Sequence, residues 1–321
     1  MIPDDPTEWK ALASRQLPLP FFETHFALGR ARAIMAATRL GVFESLRDGA
    51  ATPTEIARRC QIDATATQKL LVVLAGSDYL LYRDGRYALT PDARTWLLKD
   101  SPSSMVDVVL FAFDEWELMT HVEDYLRTGV PLGLQQSMTG TQWANYQRFE
   151  RAQAALTARE IAQVIPVPSG ATDMIDIGGS HGQFSVALCQ RYSSLRSVVL
   201  DSPEAQALAH DFGEDNYDVV LLCNRSHHFS AAGNALLFRR LGRALRPRGV
   251  FAVIQPIAPQ TGDSTSQFAA LNELYLGAIS RCGPWSARET AGWQRDAGLR
   301  PAAEPIILSG GEVGVQIATK I

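Results

Sequence analysis

The stretch Asp176-Ile177-Gly178-Gly179-Ser180-His181-Gly182 constrains the fold more than any other part of the chain. It follows an apolar run and opens a helical pattern. Asp201 lies 25 positions beyond Asp176, at the end of a second apolar run, Val198-Val199-Leu200. The order is strand, glycine-rich turn, helix and second strand ending in a carboxylate. Glycines in such a turn let the backbone approach a ligand closely, and the carboxylate can accept both hydroxyls of a ribose. The pattern predicts a site for a nucleoside-containing cofactor.

From residue 169 onward, apolar strands alternate with helices. Met174–Ile177, Tyr217–Cys223 and Val250–Gln255 read as strands, and Ala232–Leu245 and Ala287–Ala297 as helices. This is the pattern of a doubly wound α/β domain. Pro166-Val167-Pro168-Ser169-Gly170 reads as a linker before it. Residues 101–168 are mostly helical, with Trp116, Trp143, Tyr146 and Phe149 spread through them.

The first hundred residues have a different pattern. Residues 18–48 are predicted helical, with Phe21, Phe22, Phe26, Ala27, Ala31 and Ile34 at helical spacing. That much apolar surface on one small domain suits burial against a partner subunit. Thr52-Pro53-Thr54-Glu55 starts a helix, with Thr52 as N-cap and Pro53 in the first turn. Ala64–Ser77 is a second helix. A hairpin follows, with Asp84-Gly85 in its turn. Helix, helix, hairpin predicts a winged helix-turn-helix.

Composition narrows the function classes. A net charge of −4 without a basic block speaks against nucleic acid or an anionic membrane as partner. The longest apolar runs are too short to span a bilayer. The acidic N-terminus lacks a signal-peptide profile. Cys60, Cys189, Cys223 and Cys282 match no metal spacing and read as reduced thiols, so a cytoplasmic, metal-independent protein is expected.

Taken in order, these segments resemble the S-adenosylmethionine-dependent O-methyltransferases of small aromatic and polyketide-like molecules. Val42-Phe43, Thr54-Glu55-Ile56-Ala57 and Arg86-Tyr87-Ala88-Leu89-Thr90-Pro91 are similar to that family's winged-helix dimerisation domain. Asp176–Gly182 resembles its cofactor loop, with Ser180 where a third glycine is common. Leu200-Asp201-Ser202-Pro203 resembles the ribose-holding segment. Tyr217–Leu222 through His227-His228-Phe229 resembles the strand and loop that carry the family's catalytic histidine. Leu245-Arg246-Pro247-Arg248-Gly249 resembles a Leu-x-Pro-Gly-Gly turn, with Arg248 replacing a glycine.

The resemblance implies a class I methyltransferase domain, Rossmann-like α/β, at 169–321. An α-helical winged-helix dimerisation domain at 1–100 and a helical linker at 101–168 precede it. It implies a homodimer, S-adenosyl-L-methionine as cofactor and a small aromatic or polyketide-like acceptor. Cofactor contacts are expected from Asp176, Gly178, Gly179, Ser180, Gly182, Asp201, Asp211, Phe212 and Asn224. His227 is expected as general base, with His228 beside it as the alternative, because imidazole titrates near neutral pH. Gln255 stands where plant members carry a glutamate that orients the histidine. Phe111, Trp116, Trp143, Phe149, Asn272, Tyr275 and Trp285 are the candidate acceptor walls; aromatic residues on helices also commonly belong to the core.

Only 15 residues separate Asp201 from Tyr217. The family places a helix, a third strand ending in Gly-Asp and another helix there. Here one short helix, Pro203–His210, is expected, and Asp211-Phe212 resembles the tail of a Gly-Asp-Phe motif whose Asp binds the adenine amino group. Either an edge strand is deleted or a loop of about 15–25 residues is missing from the sequence. Two other functions fit parts of the pattern. One is a winged-helix regulator, opposed by the acidic balance and by Lys69 as the one lysine in its would-be recognition helix. The other is a methyltransferase-fold enzyme that has lost methyl transfer and performs a pericyclic or hydroxylation step.

Overall fold

A computed structural model describes residues 18–133, 138–201, 210–256, 267–280, 282, 285–309 and 313–321. The expected helix Pro203–His210 falls almost wholly outside these. The chain divides into two compact units, Met1–Glu115 and Trp116–Ile321.

In the first unit, a short helical stretch Leu19–Phe21 and a π-helical turn Phe22–Phe26 lead into helix α1, Ala27–Arg39. Helix α2, Pro53–Cys60, starts with a full capping box. The Thr52 hydroxyl accepts from the Glu55 amide, and Glu55 accepts from the Thr52 amide at 2.7 Å. Helix α3, Ala64–Ala75, ends two residues earlier than the sequence suggests. Strands β1, Leu80–Arg83, and β2, Arg86–Leu89, form the expected antiparallel hairpin. Asp84 and Gly85 both have positive φ, 50° and 77°, as a primed two-residue turn requires. Phe43, Leu46, Ile56, Leu71, Leu74, Leu80 and Tyr87 share one buried cluster beneath these elements. Phe21, Phe26, Leu28 and Leu40 are exposed.

The second unit is built on a seven-stranded sheet in the order β4-β3-β5-β6-β9-β7, with β8 also paired to β9. The strands are β3 Asp173–Ile177, β4 Arg196–Leu200, β5 Tyr217–Cys223, β6 Leu245–Pro256, β7 Leu299–Pro301, β8 Ile306–Ile307 and β9 Val313–Lys320. The first four are parallel to one another, and β9 runs antiparallel to β6. Among the described residues β4 is the outer strand, so no third strand appears beyond it.

The apolar runs are continuous because both faces of the sheet are covered. Val219, Leu221 and Cys223 point to the face packed by helix α4, Gly140–Val164, and helix α5, Gln183–Arg191. Val220 and Leu222 point to the other face, with Leu237, Phe238 and Leu241 of helix α6, Ala231–Ala244. The period of two along β5 thus serves two cores. Phe238 has no exposed surface, and its truncation to alanine would cost about 3–5 kcal/mol. At the start of the strands, Arg246 holds both Asp173 and Asp218, at 2.9 and 2.7 Å.

The turn that opens β6 explains its sequence. Arg248 sits at φ 64°, in the left-handed region that glycine adopts at little cost. Gly249 is required for a different reason: a Cβ there would lie 2.8 Å from the Arg246 carbonyl oxygen. The two neighbours should therefore respond in opposite directions. Arg248→Gly is expected to be neutral or to stabilise by up to about 1 kcal/mol. Gly249→Ala is expected to destabilise by about 1–3 kcal/mol. Urea denaturation of both variants, read by circular dichroism, checks the signs.

Candidate active site

The glycine turn is held from below. Asp176, at the centre of the sheet, has no exposed surface. Its carboxylate accepts the Ser185 hydroxyl at 2.7 Å and the Cys223 thiol at 3.2 Å. Burial raises the Asp176 carboxyl above the usual range, and raises the Cys223 thiol far more. Gly179 lies directly over this carboxylate, and a Cβ there would collide with it. The turn is closed by the Gly178 amide donating to the Leu200 carbonyl at 2.9 Å and the Gly182 amide to Gly179 at 2.7 Å. Gly178 and Gly182 have φ of 77° and 70°, and Ser180 reaches 46° where a third glycine was expected.

Above the turn is a small, solvent-open cleft, formed within the second unit. Gly178 and Ser180 come from the turn, Asp201 from the end of β4, and Asn224 and Arg225 from the end of β5. Trp143, Tyr146, Gln147 and Glu150 enter from α4. Their spacing of three, one and three residues puts them on one helix face. The cleft thus lies at the carboxyl ends of the parallel strands, where ligands of open α/β sheets bind.

Three charges meet in it. Arg225 forms an ion pair with Asp201 across the end of β3. Burial is the main effect raising the Glu150 carboxyl, with Asp201 acting in the same direction; the Tyr146 hydroxyl bond and Arg225 oppose it. Asn224 Oδ1 is buried and accepts no hydrogen bond among the described residues. An orphaned acceptor of this kind costs about 1–3 kcal/mol, which a ligand donor would offset.

The histidine loop follows at once. Ser226–His228 form a 3-10 turn. The turn is anchored at the Ser226 carbonyl, which accepts from Asn234 Nδ2 at 2.9 Å and from Trp285 Nε1 at 2.8 Å. Gln255, standing where plant members carry a glutamate, accepts the Ser226 hydroxyl and reaches Thr290 at 3.4 Å. The His227 and His228 rings stand 4.2 Å apart. Burial, with His228 and Arg225 adding, pushes His227 well below its ordinary value. Burial and then Arg225 pull His228 from 6.5 to about 4. Neither ring lines the cleft.

The structure gathers Gly178, Ser180, Asp201, Asn224 and Trp143 at the cleft. Asp176, Gly179 and Gly182 shape the turn from behind it. Asp211 and Phe212 are a correction. Phe212 is buried against Ile175, Ile177, Val220 and Leu222 in the α6-side core. Asp211 pairs with Arg243 near the end of α6, at the opposite end of the strands from the turn. An aromatic ring beside an open core position buries there, whatever motif its neighbour resembles.

Of the candidate acceptor walls, Trp285 is a strut for the histidine loop, stacked edge-on against Trp293. Phe149 is buried on α4, and Phe111 is fully buried in the first unit. Trp116, Asn272 and Tyr275 are half-buried away from the cleft lining. Tyr146, Gln147, Glu150 and Arg225 were missed by the sequence reading. The helical spacing from Trp143 was the available signal for the first three.

Residues 23–99 match the O-methyltransferase dimerisation domain. A 3-hydroxy-5-methyl-1-naphthoate 3-O-methyltransferase from Streptomyces sahachiroi is 26% identical, over 94% of this chain and 95% of the relative. A solved putative O-methyltransferase from Nostoc punctiforme is 24% identical, with a TM-score of 0.80 over 95% of this chain and 99% of that one. Human N-acetylserotonin methyltransferase, solved with S-adenosylmethionine, is 17% identical, with a TM-score of 0.81 over 100% and 99%. The α/β domain is therefore that of a methyltransferase. Residues 23–99 are thus an O-methyltransferase dimerisation domain, and over nearly its whole length the chain is similar to O-methyltransferases of secondary metabolism. No helix among the described residues is long and apolar enough to cross a membrane.

The depressed histidines fix a pH dependence. An imidazole kept neutral in the fold but free to charge when unfolded destabilises the native state in acid. For His228 this loss is expected as pH falls from 6.5 towards about 4. Above that window the two states bind the same protons and the contribution is flat. His228→Asn should lower the slope of melting temperature against pH within the window and leave it unchanged above pH 7. Calorimetric scans of both proteins over that range check this.

Proposed function

We propose that the protein is an S-adenosylmethionine-dependent O-methyltransferase acting on a hydroxyl of a small aromatic or polyketide-like acceptor, as a homodimer. The observation that carries the reading is the cleft at the strand ends. It joins a glycine-rich turn, a ribose-type carboxylate and an unpartnered acceptor to a histidine-bearing loop. These residues fit the cofactor: Gly178 permits close approach, Asp201 suits the ribose hydroxyls, and Asn224 Oδ1 suits an N–H donor. When bound, the cofactor supplies a methyl group on a sulfonium.

The chain's own contribution is positioning and proton removal. His227 acts as the base. Its low pKa keeps it neutral at pH 7, so its free ring nitrogen can accept the acceptor hydroxyl's proton. The same burial makes it a weak base. Trp285 and Asn234 hold the loop's carbonyl and hence the ring's position. The naphthoate relative motivates an aromatic acceptor. The exposed Phe26, Leu28 and Leu40 inside the matched dimerisation domain, with Phe21 just before it, motivate the homodimer.

Gln255 favours a second reading, a methyltransferase-fold enzyme that binds the cofactor without transferring methyl. The position that should support the histidine serves Ser226 instead. Titration calorimetry followed by a panel of phenols separates the two. Under the main reading S-adenosylmethionine binds, a phenol is methylated, and His227→Ala lowers kcat by about 10²–10⁴-fold with cofactor affinity retained. Binding without turnover on any phenol favours the second reading. Absence of binding to the folded protein sinks both.

A further inference from the structure

The Arg225–Asp201 pair bears on ligand choice, given the reading that the cleft takes S-adenosylmethionine. Asp201 ends β4 and Arg225 follows β5, with β3 between them. The guanidinium therefore crosses above the glycine turn. Its stem rests against Gly178, where a Cβ would collide with Arg225 Cγ. The two side chains are only 19% and 25% exposed. The carboxylate suited to a ribose is thus already engaged by a cation inside the same cleft.

We propose that Arg225 is a specificity-determining residue that makes binding conditional on a ligand carboxylate. A nucleoside alone must strip Asp201 from Arg225 and leaves the guanidinium with no replacement anion. A nucleoside joined to an α-amino acid supplies both exchanges. Its ribose hydroxyls go to Asp201, and its carboxylate goes to Arg225, whose planar fork suits two parallel hydrogen bonds. The ammonium of the same amino acid meets the unpartnered Asn224 Oδ1, with the Glu150 carboxylate on the same wall. Cation, orphan acceptor and ribose carboxylate together select for the complete amino-acid nucleoside over its truncated products.

The test compares two ligands that share the nucleoside thioether. S-adenosylhomocysteine has the amino-acid end, and 5′-methylthioadenosine lacks it. Titration calorimetry is run on wild type, Arg225→Met and, in case the apolar variant folds poorly, Arg225→Gln. Freed of its partner, Asp201 should bind methylthioadenosine more tightly in both variants, by about tenfold, while S-adenosylhomocysteine weakens. The wild-type preference then collapses. An arginine that only binds the carboxylate, or only supports the loop, would not improve the truncated ligand. Unchanged or weaker methylthioadenosine binding in the variants overturns the proposal while leaving the methyltransferase reading intact. Failure of both ligands to bind any of the folded proteins overturns the two together.

Discussion

A buried carboxylate organises the whole α/β half of this protein. Asp176 lies in the centre of a sheet covered on both faces, where an unpaired charge would be severely penalised. It is tolerated because Ser185 from α5 and Cys223 from β5 donate to it while Gly179 folds over it. Those contacts tie β3, α5 and β5 into one unit. The turn above cannot shift without uncovering the carboxylate, so Gly178 and Ser180 are presented to the cleft in a fixed shape. The site is preorganised by a residue that never reaches it.

The same economy of placement governs the histidine loop. A short 3-10 turn has little internal hydrogen bonding, and its side chains would wander if only its ends were held. Here the Ser226 carbonyl is gripped twice, by an asparagine from α6 and by an indole from beyond α7, Gln267–Ile279. Trp285 in turn leans on Trp293, whose ring packs against Phe238 in the core. The loop's position therefore follows from the packing of the far side of the sheet.

What could be read from the sequence was local. The Asp84-Gly85 turn, the Thr52 capping box, the glycine turn and the strand-ending Asp201 each depend on backbone constraints that a few residues reveal. Arg248, in a glycine's place, keeps the left-handed backbone of the residue it replaces. The errors came where distance in sequence hides proximity. Asp211-Phe212 resembled a motif by two residues, and burial of the phenyl ring decided its place instead. Trp285 looked like an aromatic wall but serves as a hydrogen-bond donor, which its ring nitrogen allows and an aromatic count does not show. Arg225 was invisible because its meaning is its partner, 24 residues earlier and two strands away.

That partner choice follows from the shape of the sheet. Among the described residues β4 is the outermost strand, and Val198 and Val199 are 57% and 38% exposed along it. A carboxylate at the tip of an edge strand has sheet neighbours on one side only. The groups that could hold Asp201 must then come from across β3, and the end of β5 is the first position that can reach. A lysine or arginine there satisfies the carboxylate but also lies over the turn, so any ligand must deal with the cation as well as the anion.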